Sequence, residues 1–375
     1  MKPLKILNVV GARPNFMKIA PIDAAMRGHP GIEPHLLHTG QHYDHAMSEL
    51  FFNHLGLPAP DRYLEVGSGS HGAQSGRIMI KFEEALREIQ PHLVLVVGDV
   101  NSTIACGLVA VKMGIKLAHV EAGLRSFDRS MPEEINRVLT DQISDYLFTT
   151  EASALDNLVH EGVTADRVYF VGNVMIDTLL HQRQHAARRA VLSELGVEPR
   201  GYVLVTLHRP SNVDDRTVLA GLMEVLRTIA KRYPVVFPVH PRTRHKLAEF
   251  GLNDGLAQTP ALQLIEPLGY LDFLQCMDNA RLVITDSGGI QEETTVLGVP
   301  CVTARDNTER PVTVDQGTNM VVGRHPQRLI DAALGILSSE REATVTPDLW
   351  DGKAAERIVE ILWDREGEVP VAVNE

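Results

Sequence analysis

Arg281-Leu282-Val283-Ile284-Thr285-Asp286-Ser287-Gly288-Gly289-Ile290-Gln291-Glu292-Glu293 reads as one strand–turn–helix unit. Arg281 to Thr285 is a short apolar run of the kind a buried strand needs, and Ile290 to Leu297 follows a helical pattern. The Ser-Gly-Gly turn between them leaves backbone N–H groups free at a helix N-terminus, which is a ready anion site with phosphate as its usual occupant. Glu293, about one turn into the helix, is placed to reach a sugar hydroxyl beside that phosphate. The unit therefore points to a nucleoside diphosphate. Its bland alternative, an Asp or Ser cap with tight glycine turns, leaves Gly-Gly and the paired glutamates unexplained.

The same alternation runs outward from this unit through most of the chain. Lys5–Val10, Glu33–His38, Leu93–Val97, Lys116–Val120, Tyr146–Thr149 and Arg167–Val171 read as strands. Amphipathic segments lie between them, among them 78–89, 102–113 and 134–143, and Pro91 and Gly114 close helices ahead of strands. A polar helical stretch from Val174 to Leu195 interrupts the pattern. It then restarts with Tyr202–Thr206, Val235–Val239, Leu262–Ile265, Leu282–Thr285 and Cys301–Thr303. Repeated βα units imply parallel sheets covered on both faces. The fold class expected is α/β, with two doubly wound, Rossmann-like halves. Residues 1–173 form the first domain, 174–200 a helical linker and 201–352 the second domain. The last helix, within 353–375, fits either half and is expected to pack back on the first, and Glu366–Glu375 reads as a loose tail.

The 375 residues suit two domains, and 44% hydrophobic with 22% charged residues is ordinary for a globular protein. A net charge of -12 argues against nucleic acid or an anionic membrane as partner. An anionic ligand must then be held by local cations. No run approaches the roughly 20 apolar residues of a membrane span, and Met1–Val10 is too short for a signal peptide. Cys106, Cys276 and Cys301 are few and widely spaced and read as buried reduced thiols. The expected location is the cytoplasm.

Ligands of open α/β sheets bind beyond the carboxyl ends of the strands. Those positions hold Gly11, Arg13, Asn15 and Lys18; Thr39-Gly40-Gln41-His42; Gly98-Asp99; Glu121, Gly123 and Arg125; His208 and Arg209; His240; the Ser-Gly-Gly turn; and Arg305, Glu309 and Arg310. The first half is rich in carboxylates, with Asp99, Glu121 and Glu133. Clustered carboxylates away from water suit general acid–base work. Their structural alternatives are a helix cap for Asp99, a pair with Arg125 or Arg137 for Glu121, and first-turn dipole acids for Glu133 and Glu134. The last explanation is preferred for Glu134 only. His240 reads equally as ligand or as structure. Gly67-Ser68-Gly69-Ser70-His71-Gly72 fits G-x-G-x-x-G formally, but follows no long strand and reads as a loop.

Gly11-Ala12-Arg13-Pro14, Thr39-Gly40-Gln41-His42, His119-Val120-Glu121-Ala122-Gly123-Leu124-Arg125, Pro132-Glu133-Glu134-Ile135-Asn136-Arg137, Asp286–Glu293 and Thr308-Glu309-Arg310-Pro311 resemble, in order, the non-hydrolysing UDP-N-acetylglucosamine 2-epimerases. The resemblance implies a GT-B-like architecture with two domains facing across a cleft, a homodimer, and neither metal nor cofactor. It implies C2 epimerisation of a UDP-sugar by elimination of UDP to a 2-acetamidoglucal and re-addition, giving UDP-N-acetylmannosamine for cell-surface polysaccharide synthesis. By motif position Asp99, Glu121 and Glu133 look like the acid–base carboxylates, and His208 like the residue that helps UDP leave. Arg13 and Lys18 look like diphosphate ligands, with Ser287, Gly288, Gly289, Glu293 and Arg310 as UDP ligands. Two positions depart from the pattern. Pro210-Ser211-Asn212 stands where Arg-Glu-Asn is common, and Asp44 stands where members activated by substrate carry glutamine. Rival readings are a 2-epimerase for a UDP-diacetamido sugar or uronate, a hydrolysing 2-epimerase, a GT-B glycosyltransferase and a non-catalytic nucleotide-sugar sensor.

Overall fold

The computed structural model describes residues 3–41, 55–253, 259–339 and 345–367, without the side chain of Arg13. His42, Asp44 and the last eight residues of the tail lie outside the described residues. The chain divides into two compact units, Met1–Thr178 with Asp348–Glu375, and Leu179–Pro347.

The first unit is built on a seven-stranded sheet among the described residues: β1 (Leu4–Val10), β2 (Ile32–His38), β3 (Arg62–Tyr63), β4 (Leu93–Val97), β5 (Lys116–Ala122), β6 (Tyr146–Thr149) and β7 (Val168–Phe170). Their order is β3-β2-β1-β4-β5-β6-β7, and every pairing is parallel. Strand side chains alternate between faces, so the two layers can be read off β4. Leu93, Leu95 and Val97 join one core, and Val94 and Val96 join the other. Both faces are covered, which is why β4 is apolar without interruption. The order reverses between β1 and β4, and that switch point is where ligands of such sheets bind.

The helix Ala354–Glu366 belongs to this unit. Its Ala354, Ile358, Val359 and Leu362 complete the core under the helix Arg13–Gly28. Asp177 accepts the N–H groups of Ala354 and Ala355 at 3.2 and 2.7 Å, capping the helix from a distant part of the chain. Trp350 is buried ahead of it and donates to the Thr150 carbonyl at 2.8 Å.

The second unit carries β8 (Val203–Thr206), β9 (Val235–Pro238), β10 (Leu262–Ile265), β11 (Leu282–Thr285), β12 (Cys301–Thr303) and β13 (Asn319–Val321). The order is β10-β9-β8-β11-β12-β13, again all parallel, with the reversal between β8 and β11. One core lies beneath the helices Arg216–Ala230 and Pro326–Ser338 and takes in Val203, Val205, Leu222, Leu226, Leu282, Ile284, Leu329 and Ala333.

The expected strands occur with ends shifted by at most two residues. β3 and β13 were not foreseen, being edge strands of two and three residues. The helix expected over 78–89 starts at His71, so the formal G-x-G-x-x-G stretch is a loop that runs directly into a helix. The stretch 174–195 is two helices, Val174–Ala186 and Val191–Leu195, and the division between the units falls inside the first. Among the described residues, no helix is long and apolar enough to cross a membrane.

Candidate active site

In the first unit the two central strand ends, β1 and β4, and the end of β5 bring chemistry together. Asn15 anchors the turn after β1. Its Oδ1 accepts the N–H groups of Gly11 and Ala12 at 3.1 and 3.0 Å, and its Nδ2 donates to the Val97 carbonyl at 3.2 Å. One helical turn on, Lys18 forms an ion pair with Glu121, and both side chains are buried. Lys18, expected as a diphosphate ligand, is thus placed on a carboxylate.

Glu121 has φ +72°, and the register between β5 and β6 shifts between Val120 and Ala122. A side chain on a left-handed backbone inside a bulge carries strain of order 1–3 kcal/mol, and such strain concentrates at functional sites. Gly98, with φ +65°, faces this pair. A Cβ there would lie 2.9 Å from Lys18 Nζ and 3.3 Å from Glu121 Oε2, so only glycine lets the β4 end approach the pair.

Asp99 follows Gly98 and is ion-paired with Arg137. The N-cap residue of the helix Asn101–Lys112 is Val100, one residue after Asp99. The Asp99 carbonyl accepts from Asn136 at 2.8 Å. Asp99 and Glu133 both line a cavity of about 280 Å³, with Gln41, Ser68, Gly69, His71, Gln74, Asn101 and Asn136 among its other walls. The loop before His71 is therefore a wall of this cavity. Glu134, expected as a first-turn dipole acid, does stand in the first turn of the helix Pro132–Ile143, and it is buried there. It accepts from Ser126 N and Oγ at 3.0 and 2.9 Å, from Phe127 N at 2.9 Å and from Arg137 at 2.8 Å. Its role goes beyond the dipole: the donors of Ser126 and Phe127 meet it at the helix start and need an anion.

In the second unit Asp286 organises the edge. It is fully buried. Its carboxylate accepts His208 N at 3.0 Å, Arg209 N at 2.9 Å and Asn212 Nδ2 at 3.0 Å, and lies 2.9 Å from His208 Nδ1. Burial pushes this carboxyl up, but His208 and the two backbone donors outweigh it and hold it below its ordinary range. Asp286 thus holds the turn after β8 and is not itself an anion ligand. Pro210 heads the short helix Pro210–Val213, where its ring fits the first position.

Ser287 is the N-cap residue of the helix Gly288–Leu297, whose first-turn N–H groups have no partner inside the helix. A Cβ on Gly288 would meet Arg310 Nη1 at 2.8 Å, whereas one on Gly289 would meet nothing within 4 Å. The guanidinium thus lies against one glycine, and space is open beside the other. Arg310 Nε is 2.7 Å from Glu292 Oε1, and Arg305 grips Glu309 through bonds of 2.9 and 2.6 Å. Burial alone would raise the Glu309 carboxyl, yet Arg305, Arg310 and Arg209 hold it well below the carboxylate range. Glu293 is buried against Tyr270, whose hydroxyl donates at 3.2 Å. Burial pushes the Glu293 carboxyl up to about 8, against that hydrogen bond and with Glu292 adding to the rise. The His208 and His240 rings lie 5.6 Å apart, tilted by 43°, and His240 Nδ1 accepts from Arg242 N at 3.2 Å, so it caps the helix Pro241–Glu249.

Several residues had been given no role. Arg209, listed only as a strand-end position, is the clearest, since its guanidinium makes no hydrogen bond among the described residues while Arg305, Arg310 and Glu309 surround it. Gln41, His71, Gln74 and Asn101 form a hydrogen-bonded wall that the positions after β2 and β4 partly signalled.

A family model described as UDP-N-acetylglucosamine 2-epimerase matches residues 24–363. The UDP-N-acetylglucosamine 2-epimerase of Methanocaldococcus jannaschii is 44% identical over 365 residues, which cover 96% of this chain and 99% of that one. The UDP-2,3-diacetamido-2,3-dideoxy-D-glucuronate 2-epimerase of Pseudomonas aeruginosa is 41% identical, covering 96% and 99%. The crystal structure of the Methanocaldococcus jannaschii enzyme in complex with UDP-GlcNAc and UDP superposes with a TM-score of 0.87 at 44% identity, covering 96% of this chain and 99% of that one.

Proposed function

The chain belongs to the UDP-N-acetylglucosamine 2-epimerase family, whose members are isomerases, and on that premise we propose that it interconverts UDP-N-acetylglucosamine and UDP-N-acetylmannosamine without hydrolysis. A carboxylate of the first unit removes the C2 proton. The C1–O bond breaks, its electron pair leaves with UDP, and a C1=C2 double bond forms in a 2-acetamidoglucal. UDP then adds back through oxygen to C1, and C2 takes a proton on the opposite face. Asp99, Glu121 and Glu133 share the proton transfers. The first turn of the helix Gly288–Leu297 holds the diphosphate with Arg310 and Arg209, and His208 supports its departure.

The observation that carries this reading is Glu121, a carboxylate at φ +72° on a buried strand end, paired with Lys18 and packed against Gly98. Phosphate binding alone has no use for a strained anion there. The Pseudomonas relative raises a second reading, a uronate substrate. The 280 Å³ cavity favours a neutral sugar, because its described lining has two carboxylates and several amides but no lysine or arginine.

Incubation with UDP-N-acetylglucosamine in heavy water, followed by proton NMR, tests the proposal. Both UDP-sugar epimers must appear, with deuterium entering at C2. Free N-acetylmannosamine identifies a hydrolase, and no turnover sinks the epimerase reading. We infer also that the protein is a cytoplasmic homodimer. Free, buried thiols at Cys106, Cys276 and Cys301 suit a reducing compartment. Phe127, 76% exposed, with Ile135 and Leu139, offers an apolar face to a second copy. Light scattering that finds only the 41.4 kDa monomer refutes the dimer.

A further inference from the structure

His119 is buried completely, and the chemistry above makes no use of it. It lies on β5, two residues before Glu121. Its Nδ1 is 2.6 Å from Asp141 Oδ1, and its Nε2 is 2.8 Å from the Gly98 carbonyl oxygen. A carbonyl oxygen can only accept, so Nε2 carries a proton and donates it. β5 holds Gly98 a second time, since the Gly98 N–H donates to the Val120 carbonyl at 3.1 Å. Its Cα faces Lys18 and Glu121, and Asp99 is the next residue.

Asp141 completes the arrangement. Its second oxygen accepts the Gly123 N–H at 3.1 Å and lies 2.7 Å from Arg125 Nη2, while Arg125 reaches on to Glu161. The His119–Asp141 pair therefore ties a carbonyl at the end of β4 to an amide just past the β5 bulge. Glu121 sits between these two ties. Filling space in this core needs only an apolar side chain; a buried imidazole in its place must have both nitrogens satisfied.

We propose that His119 is a positioning residue for epimerisation, holding through the Gly98 carbonyl the backbone that packs against Glu121 and leads into Asp99. The proposal rests on the epimerase reading above. His119 touches no UDP ligand, so its loss acts on turnover and leaves UDP binding in place.

Two variants separate the ring nitrogens. His119→Gln can keep a donor near the Nε2 position and the bond to Gly98, while His119→Asn reaches only as far as Nδ1 and loses it. The expected result is a kcat at least a hundredfold lower for Asn and within tenfold of the parent for Gln, with KM and UDP affinity within about twofold in both. Equal loss in the two variants in step with their melting temperatures, or an Asn variant within threefold of the parent, overturns the proposal. The parent protein supplies a second measurement that needs no variant to fold. Its histidine 15N spectrum must show His119 Nε2 protonated, and an unprotonated Nε2 removes the Gly98 bond and the proposal with it. A parent without epimerase activity defeats the functional reading, and the 15N result still decides whether the bond exists.

Discussion

Asp286 Oδ1 lies 2.9 Å from His208 Nδ1, and the same carboxylate takes the backbone N–H groups of His208 and Arg209. The ends of β8 and β11, 78 residues apart at this contact, are thereby locked together at the switch point of the second sheet. His208 and Arg209 owe their placement to this one buried anion.

Asp286→Asn removes the charge and turns one oxygen into a donor facing other donors. Hydrogen bonds to a charged group are worth about 1.5–3 kcal/mol each, so a stability loss of about 2–3 kcal/mol is expected in urea unfolding. UDP affinity, measured by calorimetry, should fall at least tenfold. Asp286 is held below its ordinary range, so its contribution is complete above its unfolded pKa and is lost as pH falls through its folded value. The acid limb of the parent's stability curve should therefore flatten in the variant. An unchanged acid limb and unchanged UDP affinity refute the hub role.

The two glycines of the turn should part company. Gly288→Ala pushes on Arg310 Nη1, 2.8 Å from the new methyl, and so disturbs the Arg310–Glu292 pair. Gly289→Ala meets nothing, and at a helical position it should leave stability unchanged or raise it by up to about 1 kcal/mol. UDP affinity should drop in both, because either methyl crowds the N–H groups proposed to hold the diphosphate. A Gly289→Ala protein that binds UDP as the parent does argues that the diphosphate lies elsewhere.

Glu293 supplies a pH test of opposite sign. Its folded pKa, about 8, lies above that of a free glutamate, so the folded state holds a proton that the unfolded chain releases. That contribution is present below the unfolded pKa and is lost as pH rises through about 8. Glu293→Gln, which keeps the shape and cannot ionise, should gain on the parent between pH 5 and 9. A tenfold difference in proton affinity between the folded and unfolded states is worth about 1.4 kcal/mol. Melting temperatures across that range check it, and parallel curves for the two proteins rule it out.

Glu121→Gln should lower kcat by about a hundredfold or more, the range of a general acid–base group, while UDP affinity stays within threefold. It also leaves Lys18 buried without its anion, so the melting temperature should fall. Turnover near the parent's value would remove Glu121 from the proton-transfer role.

Much of the fold was legible because the core strands are apolar on both faces. Runs such as Leu93–Val97 and Leu282–Thr285 announce themselves by composition and length. Arg62–Tyr63 and Asn319–Val321 did not, since two or three residues carry no period and edge strands need little burial. The start of the helix at His71 was hidden by Gly67, Gly69, Gly72 and Gly76, which read locally as loop. The break between Ala186 and Val191 left no mark, because the residues between, Ala187-Arg188-Arg189-Ala190, are good helix formers without glycine or proline.

Taken alone, the sequence determined which residues stand at the carboxyl ends of the strands, because alternation and turn chemistry are local properties. Asp99, Glu121, His208 and the Ser-Gly-Gly turn could be listed on that ground. Their partners were decided only in three dimensions. Lys18 meets Glu121 across 103 residues, Arg137 divides itself between Asp99 and Glu134, and His119 reaches the Gly98 carbonyl on the neighbouring strand. Such pairings depend on strand order and register, which follow from how two faces of a sheet are buried at once and leave no signature in any single stretch of chain. The same holds for Asp286. Its sequence position marks the mouth of the proposed anion site, and its tertiary contacts make it the carboxylate that holds His208 and Arg209 in place.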